Sequence, residues 1–266
     1  VSDTLDTTAM YAMHDALRRE AEHLARVTTR VGADPGAVLR TAVGWELFKT
    51  SLHIHHAAED DVLWPMLRQI LSDRPADLTL LEAMEAEHAA IDRVIEAIDE
   101  VLAASEDGLD RLGDLTDSLV TGLTGHLRHE EDQALPLIQA AVTQEQWNRF
   151  GRIHAQRIGP AVPRILPWLL DGAGDQTVAA MLAQLTEPAR QAYQHQWRPA
   201  YAALDRWHQR KERSSPAASV RFEEASVGPP LLPLSDTRAG VAPGPCLDAR
   251  PGTRPPMHHI TISVKE

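Results

Sequence analysis

Two short segments of this chain repeat one pattern at helical spacing. In His55-His-Ala-Ala-Glu59 and in His126-Leu-Arg-His-Glu130 a histidine precedes a glutamate by four, and Pro65 and Pro136 each follow that histidine by ten. Residues four apart lie on one helix face, a turn apart, so each pair can aim an imidazole and a carboxylate at one point. One such pair alone would read as a surface ion pair. Two with matched flanks demand a fold that brings two helix faces together, and the donor types suit a hard-to-borderline metal such as iron.

Two single histidines, His14 and His88, complete the repeat, so the chain reads as two similar helix pairs, each offering His and then His-x-x-x-Glu. In an up-down bundle, residues at one depth are equidistant from the turn that joins their helices. The midpoint of residues 14 and 55 falls at Asp34–Pro35, that of 55 or 59 with 88 at Ser72–Asp73, and that of 88 and 126 at Asp107–Gly108. All three are turn signals in their own right. Apolar periodicity predicts helices over about Ala9–Val31, Pro35–Leu71, Leu78–Ala104 and Leu109–Ala141. The expectation is an all-α chain with an antiparallel up-down four-helix bundle over residues 9–141, its metal ligands His14, His55, Glu59, His88, His126 and Glu130 lying in one layer.

Beyond the bundle, residues 143–213 read as a helical extension. It opens with a capping box, Thr143-Gln-Glu-Gln146, and is interrupted by Pro160, Pro163 and Pro167, with further joints at Pro188 and Pro199. Residues 214–266 hold nine of the 18 prolines and read as an extended or disordered tail. His56 and His129 adjoin the ligand face, as outer-layer or surface residues. His23, His154, His195 and His208 read as surface residues, and Pro65 and Pro136 as structural.

Bulk properties narrow the function. A net charge of −12 argues against nucleic acid as a partner. No stretch approaches the 18 apolar residues of a membrane span, and the polar start, Val1 to Thr8, does not resemble a signal peptide. Cys246 is the single cysteine, which excludes intramolecular disulfides, cysteine zinc sites and iron–sulfur clusters. A cytoplasmic protein is expected; its oligomeric state is not encoded in any feature of the sequence.

The residues His14, His55-His-Ala-Ala-Glu59 with Leu63-Trp-Pro65, Glu87-His88, and His126-Leu-Arg-His-Glu130 with Leu135-Pro136 resemble the hemerythrin-like, or HHE cation-binding, family. The extension, with Trp147, Pro167-Trp-Leu-Leu170 and Trp197-Arg-Pro199, looks like that of actinobacterial members. The resemblance implies a non-haem diiron centre in which Glu59 and Glu130 bridge the metals and the histidines cap them. It departs from the oxygen carriers at the third helix, where Met84 and Asp92 flank His88 at four residues instead of a second histidine. Asp92, water or an open position would then complete the iron, which favours reaction with an oxidant over reversible carriage.

Three functions follow as expectations. The first is a diiron protein that binds dioxygen, hydrogen peroxide or nitric oxide, with catalase- or peroxidase-like turnover as the enzymatic form. The second is an iron- or oxygen-responsive interaction module. The third is a ferritin-like iron oxidase, suggested by the Glu-x-x-His segments Glu20–His23 and Glu85–His88. It is opposed by the short connections and by leaving His55 and His126 unexplained.

Overall fold

In a computed structural model the described residues are 4–29, 35–104 and 111–207, and all regular structure among them is helical. The breaks expected at Gly32–Asp34 and Glu106–Gly108, His208 and the tail from Ser214 lie outside the described residues. Helix α1 spans Thr8–Thr28. The second predicted helix is divided into α2 (Pro35–Thr41), α3 (Val43–Ala58), a π turn at Glu59–Leu63 and α4 (Trp64–Ile70). Helix α5 runs Pro75–Ala103, with proline in its first turn where the missing N–H costs nothing. The fourth predicted helix is α6 (Leu112–His129), a second π turn (Glu130–Ala134) and α7 (Leu135–Ala141).

The break before α3 has a tertiary cause. Ala42 is extended, at φ −73° and ψ 113°. The carbonyl of Arg206, over 160 residues away, accepts the Gly44 N–H at 2.9 Å and so serves the first turn of α3. Trp207 packs over the same glycine, where a Cβ would come within 2.4 Å of its ring.

Each π turn answers a proline. A proline in mid-helix removes one backbone donor and collides with the carbonyl four residues back. Here the residue just before each proline bonds one residue further back instead: Trp64 N–H to the Glu59 carbonyl ahead of Pro65, and Leu135 N–H to the Glu130 carbonyl ahead of Pro136. Widening the turn lets the helix continue past the proline, and it sets a glutamate at the head of each wide turn.

Helix α1 packs on α3 and α6, and α5 packs on α6, α2 and α4. The buried apolar residues form two clusters. One holds Leu17, Leu24, Phe48, Leu52, Ile91, Leu123 and Leu127, and the other Met10, Leu63, Trp64, Leu81, Met84 and Ile138. Between them every long segment crosses a polar level: His14 on α1, His55, His56 and Glu59 on α3 and its π turn, His88 on α5, His126 and Glu130 on α6 and its π turn.

The extension begins at α8 (Gln144–Ile158), where the Thr143–Gln146 capping box is formed as expected. Gly159, at φ +45°, ends it in a conformation that side-chain-bearing residues rarely adopt. Then follow α9 (Val162–Leu169), α10 (Asp175–Ala183), α11 (Glu187–Ala192), a third π turn at Tyr193–Trp197 ahead of Pro199, and α12 (Arg198–Ala202). Ile165, Leu166, Trp168 and Leu169 are buried in the same cluster as Leu17 and Phe48, so this apolar stretch is core packing.

Candidate metal centre

Ten polar or charged residues are buried among those described, and seven of them form the level between the two apolar clusters: His14, His55, His56, Glu59, His88, His126 and Glu130. Burying ionisable groups costs several kcal/mol each unless partners compensate. Here the inner-facing atoms lack ordinary partners. Nε2 of His14 and His55, both ring nitrogens of His56 and all four carboxylate oxygens of Glu59 and Glu130 are buried without a hydrogen bond.

The donors converge in two groups, His56 with His88 and His126, and His14 with His55 and Glu130. Within each group one ligating atom per residue lies within 4.8 Å of the others. The two glutamates connect the groups. Glu59 turns Oε1 to His55 Nε2 at 3.5 Å and Oε2 to His88 Nε2 at 3.6 Å. Glu130 Oε2 lies 3.1 Å from His14 Nε2 and 4.0 Å from His126 Nε2.

Outer carboxylates fix the rings. His88 Nδ1 donates to Asp60 at 2.7 Å, His126 Nδ1 to Glu87 at 3.0 Å and His14 Nδ1 to Glu131 at 2.8 Å. Arg18 clamps Glu131 with two further bonds, and His129 shares Glu87. With its proton on Nδ1, a neutral imidazole presents a bare Nε2, the arrangement metal-binding histidines use. The Nε2 atoms of His88 and His126 face each other at 3.1 Å. Two lone pairs so close repel, and a cation between them removes the repulsion.

Electrostatics agree with a site built for positive charge. Burial, then neighbouring imidazoles, pushes His55 and His56 well below the usual histidine range, which keeps them neutral. Burial and the nearby Glu130 push Glu59 well up. Burial would raise Glu130 too, but His14, together with His126 and His88, outweighs it and holds it down. Burial pulls the His14 imidazole down, yet Glu130 and Glu131 outweigh it and hold it at about 9. Bound cations would compensate both carboxylates and replace that proton.

All six residues singled out in the sequence lie in this level. Sequence reasoning missed His56, which completes the group of His88 and His126 and stacks on His88 with ring centroids 3.8 Å apart. Its signal was the His-His pair itself: adjacent helical residues diverge by about 100°, enough to serve two neighbouring centres. Asp92 is in neither group. His154, expected on the surface, instead turns inward: its ring lies 5.9 Å from that of His55, Nε2 is buried, and burial lowers it to about 4. His195 is exposed, as expected, and so is His53. The ferritin-like set is not assembled, because Glu20 bonds Arg19 and Trp207 and Glu85 bonds Arg68.

The helices and the buried donor set define a helical cation-binding protein. The Hemerythrin HHE cation binding domain matches residues 5–138, and the chain belongs to that family. It is also similar to the zinc finger protein BRUTUS-like of Arabidopsis thaliana, 22% identical over 234 residues, which are 83% of this chain but 18% of that protein. The chain thus spans less than a fifth of that relative's length. No solved structure matches. No helix among the described residues is long and apolar enough to cross a membrane.

Proposed function

We propose that residues 9–141 form an antiparallel up-down four-helix bundle holding two non-haem irons, and that this centre binds a small oxidant: dioxygen, hydrogen peroxide or nitric oxide. The observation that carries the reading is Glu59, whose two oxygens face histidines of different donor groups. That is the disposition of a carboxylate bridging two ions. In this reading His56, His88 and His126 would hold one iron, His14 and His55 would hold the other, and Glu59 and Glu130 would serve both. When bound, a diiron centre supplies Lewis acidity and two one-electron redox equivalents.

The chain's own residues do the rest. Asp60, Glu87 and Glu131 hold the rings in the tautomer that offers Nε2 inward. The two apolar clusters exclude water from both sides of the level. The His14–His55 group offers two imidazoles where the other offers three, so a cation held there would have more room for a small ligand. Such room would favour reaction with an oxidant, as in catalase- or peroxidase-like turnover, over reversible carriage.

The test is elemental analysis with an optical spectrum on protein expressed with added iron. Two irons per chain with near-ultraviolet oxo-to-iron absorption support the reading, and peroxide addition then assays gas evolution. Iron-free protein under those conditions sinks it. A second reading, an iron- or oxygen-responsive module, draws on the packing of α8, α9 and α10 against α1 and α3, the helices that carry His14 and His55. It predicts that iron loading changes the proteolysis of the extension.

A further inference from the structure

Of the seven residues in the polar level, His55 alone lines a cavity of about 810 Å³ that opens toward solvent. Its walls are the start of α1 (Met10, Met13) and one face of α8 (Trp147, Phe150, Ile158), closed by Met181. The polar residues that line it fall into two sets. Asp6, Gln144, Glu145, Asn148, Arg152 and Gln184 are exposed at the rim, whereas His55 and His154 stand at the inner end.

His154 is brought there by the packing of α8 on α3. Its Nε2 is buried without a hydrogen-bond partner. Its ring stands edge-on to His55, 86° between planes, and Phe150 backs it at 6.2 Å. It belongs to neither convergent group of donors, and its ring centroid lies 5.9 Å from that of His55, which does. It also lies beyond residues 5–138, on the extension and outside the family domain.

We propose that this cavity admits a small protic or anionic ligand to the His14–His55 cation, and that His154 is the positioning residue that hydrogen-bonds the ligand there. The inference rests on the metal-centre reading above. The geometry supplies what such a role needs: a cavity with an exposed polar rim, an apolar wall that disfavours bulk water, and, beside His55, one buried imidazole nitrogen without a hydrogen-bond partner. The extension is then part of the site.

The test titrates azide into the iron-loaded full-length protein, followed by its ligand-to-metal absorption, for wild type, His154→Ala and His154→Gln. Iron per chain is expected to stay at the wild-type value in both variants. Azide should bind about tenfold more weakly to His154→Ala, equivalent to about 1.4 kcal/mol, and His154→Gln should recover part of the loss by donating from its amide. Gly151→Phe, at a lining position where an added Cβ meets nothing within 4 Å, should slow azide association. It serves as the independent check if His154→Ala does not fold.

Unchanged azide affinity in both His154 variants on fully loaded protein overturns this inference alone. Loss of iron in His154→Ala overturns it differently, by making His154 a metal ligand. A wild-type chain that takes up no iron overturns the metal centre itself and this inference with it, so the iron count separates the two failures.

Discussion

Glu131 accepts a hydrogen bond from His14 Nδ1 at 2.8 Å, one residue after the glutamate that faces the same ring's Nε2 at 3.1 Å. The other half of the site repeats the relationship, with Asp60 bonded to His88 Nδ1 and Glu59 facing His88 Nε2. Each HxxxE segment therefore supplies two consecutive acids, an inner one for the metal level and an outer one for a histidine on a different helix. The first prediction concerns this outer acid. Glu131→Gln should lower metal affinity by about 10- to 100-fold, the usual effect of losing such a partner, while circular dichroism shows unchanged helix content. Equal affinity by competitive chelator titration would show that His14 needs no anchor.

The same pair makes metal uptake depend on pH. Without a cation, His14 is raised from 6.5 to about 9. A raised histidine contributes stability that is fully present below pH 6.5 and is lost as pH rises through about 9. A cation competes with that proton, so metal affinity should climb over the same interval while the stability of the cation-free chain falls. Burial would raise Glu131, but His14 and Arg18 hold it at about 2. Its contribution is present above 4.5 and is lost as pH falls toward 2. Denaturant unfolding of the cation-free chain at pH 6.5 and 9 reads the first effect, and a flat profile would contradict it.

Removing an inner acid should cost metal outright. Glu59→Ala or Glu130→Ala is expected to lower iron content, since each glutamate faces histidines of both groups. The cation-free form of Glu59→Ala should unfold at an equal or higher denaturant concentration, because a buried carboxylate without hydrogen bonds has been removed. Two irons per chain in either variant would dismiss the bridging assignment.

Gly44 tests the attachment of the extension. Alanine there drives a Cβ to within 2.4 Å of Trp207, and overpacking of this kind costs about 1–3 kcal/mol. The gain in helix propensity, about 1 kcal/mol, offsets only part of it. Gly44→Ala should therefore melt at a lower temperature and leave Trp207 more accessible to acrylamide quenching. A higher melting temperature would mean that the indole moves aside freely.

Much of the site was legible because its information is local and periodic. His14 and His88 were placed by symmetry about the turns, and the described Ser72–Asp73 turn lies where that symmetry requires. What escaped the sequence was set by distant contacts. Ala42 breaks a predicted helix because the carbonyl of Arg206 supplies an acceptor for Gly44. His154 resembles a surface residue on an amphipathic helix until the docking of α8 on α3 turns it toward His55. His56 reads as an outer-layer or surface residue because it lies off the face of His55 and Glu59, whereas α3 offers His55 to one donor group and His56 to the other.

The π turns give the helices that bear the site an adjustable phase. Each residue of an α-helix advances the side-chain direction by about 100°, so a one-residue widening re-aims everything that follows it. His55 is set by the helix before the turn, Glu59 by the head of the turn, and Trp64 and Leu67 by the helix after it; His126 and Glu130 stand in the same relation to Leu135 and Ile138. The distal apolar cluster is thus indexed separately from the metal level. Shortening either turn by one residue would leave the inner donors aimed as they are and swing the far core out of register.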